Sequence, residues 1–570
     1  MTRLRLASIM LTVTVLAAGC AAPRAESVQD QSGASVRESR VLTFGVPREV
    51  TSLYPSMNTA GGTAATHRLF NAGLAVVDDT GDVRPELAEI PRFNTDSWRV
   101  LPDGKMETMY RLKPGLAWHD GQPLDAEDYV FAKRVYAQPG VEMSRPRPER
   151  LMESVVAVDP TSVLIRWQSP YAGANSLVMA DFDPLPRHIL AEAFARVEQD
   201  QSQAAAFNNL PYWKSEYVGT GPYQLVAWEP GSHYEGVAFD RFALGRPRID
   251  RVVHKIMDDQ VVITHILSGT MDLGQMNFEH YGLLERDWAK NGKGTLLIGE
   301  GNVQPNEIQL RPEYVGHPGL LDVRVRRALA HTIDRQALND GVFDGRGIMV
   351  ETIVPPRAPN NLNEQVERAI MRYPYDPRRA EQLMNEAGFT RDREGLFADA
   401  SGQRFVVDFE RNRASDRERL QLIMVDTWKR AGFEVRPYEL PQGEPPREAR
   451  YTFPGIQGQG SANEGTWASV SIGSAQNRWT GNNRSGFSNA EYDRLYEAFG
   501  GTLNQAERTQ QFIGMMRIYS EFLPTFITHF SLNSWAVAAH LKGVKNETKP
   551  IGELTVGTIR YFNIHEWEWQ

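Results

Sequence analysis

Cysteine is nearly absent from this chain of 570 residues, since Cys20 is the one copy. A single thiol rules out an intramolecular disulfide and a zinc site built from several thiolates. Apolar runs are also short: no segment beyond the first twenty residues has 18 uncharged apolar positions in a row, so we predict no membrane-spanning helix there. The formal net charge is -9 at pH 7, whereas proteins that bind nucleic acid carry a basic surface. We therefore predict no nucleic-acid partner.

The single cysteine closes a short segment with the pattern of an export signal. Arg3 and Arg5 precede an uncharged apolar run from Leu6 to Ala18, and small residues come immediately before Cys20. This is the layout of a secretory signal over residues 1–19. The small-small-cysteine ending resembles a bacterial lipobox, in which cleavage leaves the cysteine first and its sulfur carries a diacylglycerol. We predict that Cys20 is lipidated and anchors the protein to the membrane.

The segment after the cysteine, residues 20–40, is small and polar and has no apolar periodicity. It predicts a flexible tether that spans roughly 25 Å. Removal of residues 1–19 takes away two arginines and no acid, which moves the net charge from -9 to -11. A folded body is expected to begin at residue 41, where VLTFGV is typical of a buried strand.

Sequence motifs typical of enzymes are missing as well. The sequence has no phosphate-binding GxxxxGK[ST] loop, no glycine-rich dinucleotide fingerprint, no G-x-S-x-G elbow and no HExxH pair. Its twelve histidines are scattered, without the spacing of metal ligands on a helix. We therefore predict no enzyme, no catalytic residue, no metal site and no cofactor. A triad assembled only by folding leaves no spacing signal, which keeps a lipid-anchored hydrolase as an alternative.

Between about residues 320 and 525 the sequence predicts sharply defined helices. Asp322 is placed to cap one helix, and Asp376 followed by Pro377 predicts the start of another. The segment QRFVVDFE is typical of a strand, a helical stripe runs from Leu420 to Trp428, and FEV predicts a second strand. A strand, helix and strand in this order favour a right-handed crossover and a parallel pair. The pattern indicates an α/β fold.

Eight segments, in register over nearly all of the chain after residue 40, resemble extracellular solute-binding protein family 5, the peptide, nickel and opine receptors of ABC importers. These segments are PELAEI at 85–90, PDGKMETMYRLKPGLAWHDGQPLDAEDYVFA at 102–132, DPLPRHIL at 183–190, VGTGPYQLVAWEPG at 218–231, SGTMDLG at 268–274, LDVRVRRALAHTIDRQAL at 321–338, YDPRRAEQLMNEAGF at 375–389 and SGFSNAEYDRL at 485–495.

The resemblance implies a two-lobed periplasmic-binding-protein-like fold, class II or cluster C, with mixed sheets in each lobe and two hinge strands. The first lobe would be large and discontinuous, over residues 41–300 and 530–570, with an inserted subdomain at about 76–214. The second lobe would cover residues 301–529. The resemblance further implies a monomeric extracytoplasmic receptor, on the periplasmic side or at the cell surface. It would capture a peptide or another small solute and deliver it to an ABC permease and ATPase.

The same resemblance suggests where the solute binds. Peptide-binding members usually place an aspartate, partner of the peptide amino terminus, in the stretch that corresponds to residues 451–467. Here that stretch has no aspartate, its only acid is Glu464, and Gln457 and Gln459 stand among glycines, which argues against an ordinary peptide. From the second lobe, Phe453, Gln457 and Gln459 are predicted ligand contacts, with Trp479 as an aromatic wall; an ordinary surface loop and core packing of Trp479 are the alternatives.

One further contact is predicted from the first lobe. The segment VTSLYPSMN resembles the first cleft loop of the family, and Tyr54 is the expected ligand-contacting side chain there. A receptor-fold lipoprotein that acts as a sensor, adhesin or chaperone without transport is the alternative to an importer receptor, because it would have the same cleft.

Overall fold

The structure is a computed structural model that describes residues 41–46, 48–58, 64–79, 82–356, 358–410, 415–439, 447–477, 479–545 and 561–570. The predicted signal, Cys20 and the predicted tether lie outside these residues. Within them, no helix has both the length and the apolar character needed to cross a membrane.

The strands are short except for two, β12 and β19. They are β1 (Val41–Val46), β2 (Ala75–Val77), β3 (Val83–Pro85), β4 (Trp98–Val100), β5 (Met106–Arg111), β6 (Met152–Asp159), β7 (Ser162–Trp167), β8 (Tyr223–Glu229), β9 (His233–Ala238), β10 (Arg251–Ile256), β11 (Leu273–Asn277), β12 (Gly294–Ile308), β13 (Ile348–Met349), β14 (Thr390–Arg391), β15 (Phe397–Ala398), β16 (Val406–Glu410), β17 (Glu434–Tyr438), β18 (Ile456–Gly458), β19 (Thr525–Ala538), β20 (Leu541–Lys542) and β21 (Glu568–Trp569).

The α-helices occur in both halves of the described chain, and the longest are α12 and α14. They are α1 (Ala64–Phe70), α2 (Ala126–Ala137), α3 (Arg147–Leu151), α4 (Arg187–Gln199), α5 (Ala204–Asn208), α6 (Asp259–Ser268), α7 (Tyr281–Asp287), α8 (Val323–Ala330), α9 (Arg335–Phe343), α10 (Leu362–Ala369), α11 (Pro377–Glu386), α12 (Ser415–Arg430), α13 (Ala490–Gly501) and α14 (Gln505–Phe522).

The helix starts predicted from capping residues are confirmed. The Asp322 carboxylate accepts a hydrogen bond from the Arg324 amide at 2.8 Å. The Asp376 carboxylate accepts from the amides of Arg378 and Arg379, and Pro377 is the first residue of α11. Each side chain satisfies backbone amides that have no partner inside the helix.

The predicted strand–helix–strand unit is confirmed as well. β16 and β17 are parallel, from Val406 opposite Glu434 to Glu410 opposite Tyr438, and α12 connects them. Trp428 of α12 is buried against Phe409 of β16, with ring centroids 5.1 Å apart. The apolar stripe predicted on this helix therefore packs on the sheet.

One large mixed sheet organises the described chain. Its eleven strands run in the order β17-β16-β18-β12-β19-β11-β1-β10-β9-β8, with β13 also paired to β19. β12 and β19 are antiparallel along their length, from Gly294 opposite Ala538 to Glu307 opposite Thr525. Their register is irregular between Glu300 and Pro305, which interrupts the ladder near its middle.

The two long strands connect separate hydrophobic cores. Near one end of the pair, Leu297 and Trp535 pack in a core that contains β1, β10 and the smaller sheet β4-β5-β7-β6. Near the other end, Ile308 and Phe526 pack in a core built with α8, α9, α11 and α12. A third core lies around α13 and α14 and takes in Phe530. β12 and β19 therefore pass from one group of cores to the other.

Candidate ligand-binding site

A row of polar side chains crosses three neighbouring strands at one end of the long pair. Gln457 of β18 is directly opposite Glu307 of β12, and Glu307 is in turn opposite Thr525 of β19. Directly opposed residues of antiparallel strands project to the same face of a sheet. Gln457, Glu307 and Thr525 therefore form one buried polar row, and each is at most 1% exposed.

The polar row lacks hydrogen-bond partners among the described residues. Both carboxyl oxygens of Glu307, both polar atoms of the Gln457 amide, the Thr525 hydroxyl and the indole nitrogen of Trp467 are buried without one. A buried polar atom that stays unpaired costs about 1–3 kcal/mol. Trp467 and Ser485 lie near enough to Glu307 to act on its carboxyl but not in the geometry of a full hydrogen bond, so the row retains unused donors and acceptors.

Burial also changes the ionisation of Glu307. Loss of solvent raises the pKa of its carboxyl to about 8, although the nearby charge of Arg484 and the polar groups of Trp467 and Ser485 act in the opposite direction. At pH 7 the side chain is therefore mainly a neutral carboxylic acid, which can donate one hydrogen bond and accept others.

Further polar and charged groups surround the end of β18. The Gln459 amide nitrogen donates to the carbonyl oxygens of Ser461 at 3.0 Å and Asn482 at 3.4 Å, while its buried amide oxygen has no partner among the residues described. A carboxylate oxygen of Glu410 accepts from the Gly458 amide at 2.9 Å, and burial raises the Glu410 pKa. This end of the sheet thus brings buried amide groups and titratable acids together in one region.

Arginines complete the polar surroundings. Arg484 is half-buried, and loss of solvent lowers its pKa although the nearby Tyr451, Glu307 and Glu410 favour its charged form. The guanidinium of Arg417 donates to the Gln304 amide oxygen at 3.3 Å. The region can therefore recognise both hydrogen-bonding and anionic groups.

Two of the predicted ligand contacts are aromatic and lie beside this region. Phe453 is buried, and its carbonyl oxygen accepts from Gln309 at 2.8 Å. Trp479 is half-buried and rests on Tyr451, with ring centroids 5.9 Å apart. Its backbone φ is 57°, a left-handed conformation that is uncommon for a bulky residue. Ligand contact by Phe453 and Trp479 stays a prediction.

Tyr54 lies elsewhere, in the core that contains β1. It is 1% exposed, its ring packs on Trp213, and its hydroxyl donates to the Asp183 carbonyl oxygen at 2.9 Å. No hydrogen bond, ion pair or ring contact within the described ranges joins Tyr54 to the four residues near β18. Its contact with a ligand stays a prediction, and in this conformation both its ring and its hydroxyl are occupied by protein.

Sequence reasoning missed Glu307 and Arg484. The signal for Glu307 was present, because the stretch QPNEIQL places polar residues in a segment that is buried from Pro305 to Gln309. Arg484 gave no comparable signal, because its burial depends on how the loop after β18 folds. No group of three or more His, Cys, Asp or Glu side chains in the described part of the chain is placed to hold a metal ion.

A comparison with models of protein families shows to which family this chain belongs. The family model described as "Bacterial extracellular solute-binding proteins, family 5 Middle" matches residues 85–484. The chain belongs to family 5 of these solute-binding proteins. The resemblance inferred from eight sequence segments is confirmed.

Relatives and solved structures agree with this affiliation. The oligopeptide-binding protein AppA of Bacillus subtilis is 22% identical over 445 residues, which is 76% of each chain. NikZ from Campylobacter jejuni, solved in complex with Ni(L-His), has a TM-score of 0.74 at 20% identity, over 93% of this chain and 99% of its own. The oligopeptide binding protein of Thermus thermophilus, solved with a pentapeptide, also has a TM-score of 0.74 at 20% identity and covers 93% and 96%.

These findings establish the architecture and the broad class of activity. The fold is the two-lobed α/β fold of periplasmic solute-binding proteins, as the sequence predicted. The family is extracellular and binds solutes, and the relatives named above are binding proteins rather than enzymes.

Proposed function

We propose that this family 5 protein is the lipid-anchored, extracytoplasmic receptor of an ABC importer. It captures a small solute between two lobes and delivers it, chemically unchanged, to a membrane permease with its ATPase. The observation that carries the proposal is the buried polar row at the end of β18, which lies beside the long strand pair that connects the separate hydrophobic cores.

The proposed lobes follow the boundaries expected from sequence. Residues 41–300 and 530–570 would form the first lobe, with residues 76–214 inserted, and residues 301–529 the second. β12 and β19 run through these boundaries, and their irregular pairing between Glu300 and Pro305 supports a hinge there. A solute that contacts both lobes stabilises the closed form by the difference between its affinities for the two states.

The solute would lie against the end of β18. The stretch 451–467, in which peptide-binding relatives are expected to place an aspartate, contains Gln457 and Gln459 and no aspartate, and amides bind hydrogen-bonding groups without supplying charge. We propose Gln457, Gln459, Phe453 and Trp479 as contacts from the second lobe and Tyr54 from the first. Solved neighbours hold ligands as different as Ni(L-His) and a pentapeptide, so the fold itself leaves the solute class open.

The remaining elements of the proposal concern the membrane. A diacylglycerol on Cys20 would attach the monomeric protein to the membrane, and residues 20–40 would act as a tether that lets the folded domain contact the permease. Incorporation of labelled palmitate into the wild-type chain and not into Cys20→Ala tests the anchor. Equal labelling of both chains would contradict it.

The transport role is tested with the full chain, purified in mild detergent without denaturation. We expect acid treatment to release a small molecule that mass spectrometry identifies, and cells that lack this protein should no longer take up the same radiolabelled molecule. Binding together with normal uptake in the deletion strain would contradict the importer role and indicate a sensor. A molecule that emerges chemically altered would indicate an enzyme.

A further inference from the structure

Burial lowers the pKa of four arginines in the described chain, and three of them have clear partners. Arg311 donates to two backbone carbonyl oxygens, at 2.6 and 3.1 Å. Arg326 donates to carbonyl oxygens at distances from 2.7 to 3.1 Å. Arg335 pairs with the Glu351 carboxylate at 3.3 Å and also reaches carbonyl oxygens. Buried guanidinium groups in this protein are therefore normally bonded, as the cost of burying an unpaired charge requires.

Arg484 is the exception. No residue of the described chain accepts a hydrogen bond from its guanidinium or forms an ion pair with it. The charged or ionisable groups near it are Tyr451, Glu307, Arg450 and Glu410. Arg450 is a like charge, and neither glutamate is within ion-pair distance. A half-buried cation is thus present without an anion bonded to it in the described chain.

The nearby acids do not supply that anion. Loss of solvent raises the Glu307 pKa to about 8, so its carboxyl is mainly protonated at neutral pH. The Glu410 carboxylate accepts the Gly458 amide and favours the charged form of Arg484, but it forms neither an ion pair nor a hydrogen bond with that guanidinium. Arg484 therefore presents an unbonded guanidinium near Tyr451, whose ring rests on Trp479.

We propose that Arg484 binds an oxyanion group, a carboxylate or a phosphate, carried by the solute. The inference rests on the proposed receptor function and narrows the solute to an acid. The planar guanidinium presents parallel N–H groups that match both oxygens of such a group. Gln457 and Gln459 would then fix the orientation of the neutral part of the solute.

The experiment measures binding to the full chain in detergent by calorimetry. The probes are three matched sets: succinate with succinamide, trialanine with trialanine amide and N-acetyl-trialanine, and glycerol 3-phosphate with glycerol. The molecule that co-purifies with the protein is tested in parallel, after derivatisation of its acid groups. The proteins are wild type, Arg484→Gln, Arg484→Lys and the control Arg494→Gln, which alters an exposed arginine paired with Glu491 at 2.7 Å.

We expect binding to require the acid group of a probe or of the co-purified molecule. Arg484→Gln should weaken that binding by about tenfold or more, the scale of a lost charge-assisted pair. Arg484→Lys should weaken it less, and Arg494→Gln should leave it unchanged. The melting temperature of Arg484→Gln should equal or exceed that of wild type, because an unbalanced charge is removed. The carboxylate and phosphate arms distinguish the two oxyanions.

Two other kinds of result would overturn the inference. The inference fails if neutral probes bind as well as acids, if the co-purified molecule carries no acid group, or if Arg484→Gln binds with wild-type affinity. In each of these cases Arg484 does not bind an acid group of the solute, but the proposed receptor function is unaffected. If wild-type protein binds no probe and releases no molecule, the receptor function and the inference both fail.

Discussion

Two buried carboxyl groups, Asp183 and Glu307, have pKa values raised in the same direction but differ in their hydrogen bonds. Burial raises the pKa of each to about 8. The Asp183 carboxylate accepts two contacts from the Ala180 amide, at 3.0 and 3.1 Å, whereas both oxygens of Glu307 lack a partner in the described chain. Asp183 accepts a hydrogen bond within its own turn, whereas Glu307 lies beside Gln457 and Thr525, whose polar atoms also lack a partner in the described chain. Hydrogen-bond satisfaction, more than a shifted pKa, distinguishes these two acids, and it is the reason for assigning Glu307 to the proposed binding site.

The largest expected effect is on the structural side of this comparison. Asp183→Ala should lower the free energy of unfolding by about 1–3 kcal/mol, because the hydrogen bond from the Ala180 amide to the buried Asp183 side chain is lost. Ala180 has a φ of 78°, and the carboxylate holds it in that conformation. Urea unfolding of both proteins measures the difference. Glu307→Gln, a substitution that keeps the side-chain volume, should cost less than about 1 kcal/mol at pH 5, since both carboxyl oxygens lack a hydrogen-bond partner in the described chain. Equal costs would break the comparison.

The next effect concerns binding. Gln457→Ala combined with Gln459→Ala should weaken binding of the co-purified solute by about tenfold or more, which corresponds to about 1.4 kcal/mol. The melting temperature should stay near that of wild type, because the Gln457 amide makes no hydrogen bond within the described chain. Calorimetric titration and thermal unfolding measure the two quantities. Unchanged affinity would remove this loop from the site.

A comparable effect for each pH unit is expected on the pH dependence of stability. An exposed glutamate has a pKa of about 4.3, while burial raises that of Glu307 to about 8. Between these values the folded protein keeps a proton that the unfolded chain releases, so the free energy of unfolding falls as pH rises. Glu307→Gln should flatten this fall by at most about 1.4 kcal/mol per pH unit.

The pH experiment has an internal control in the second acid. Asp183 contributes in the same direction, so the fall of stability with pH should be shallower in Glu307→Gln and shallower still in the double variant with Asp183→Asn. Urea unfolding at pH values from 5 to 8 provides the slopes. A Glu307→Gln slope that equals the wild-type slope would show that Glu307 is ionised in the folded protein.

The smallest effect is expected at the surface. Arg494 and Glu491 form an exposed pair on α13, and such pairs contribute about 0–1 kcal/mol. Arg494→Gln should therefore change neither solute affinity nor the urea midpoint measurably. A loss of affinity there would mean that the binding region extends far beyond the end of β18.

The sequence predicted the parts of the fold that depend on local chemistry. Asp322 and Asp376 cap their helices because a short acid before a helix satisfies its free amides wherever the helix packs. The parallel pair of β16 and β17 followed from the order of elements. The family affiliation was readable from glycine, proline and acidic residues at fixed spacings.

The candidate site was less predictable, because it depends on pairing between distant strands. Gln457 is informative only once β18 lies beside Glu307 of β12, a contact between residues 150 positions apart. Arg484 looks like a surface residue until the loop after β18 folds and partly buries it. Tyr54 was predicted to contact the ligand from a loop pattern, and the sequence did not indicate that it would be buried in a core.

Native mass spectrometry of the full chain, released from detergent, tests the central claim most directly. The claim is that the end of β18 holds a solute that leaves chemically unchanged. The account predicts a non-covalent mass increment on the wild-type protein, greatly reduced in the double glutamine variant, and a dissociated molecule of the same mass as the one supplied. A wild-type protein without an increment, an equal increment on the double variant, or a molecule of altered mass would contradict it.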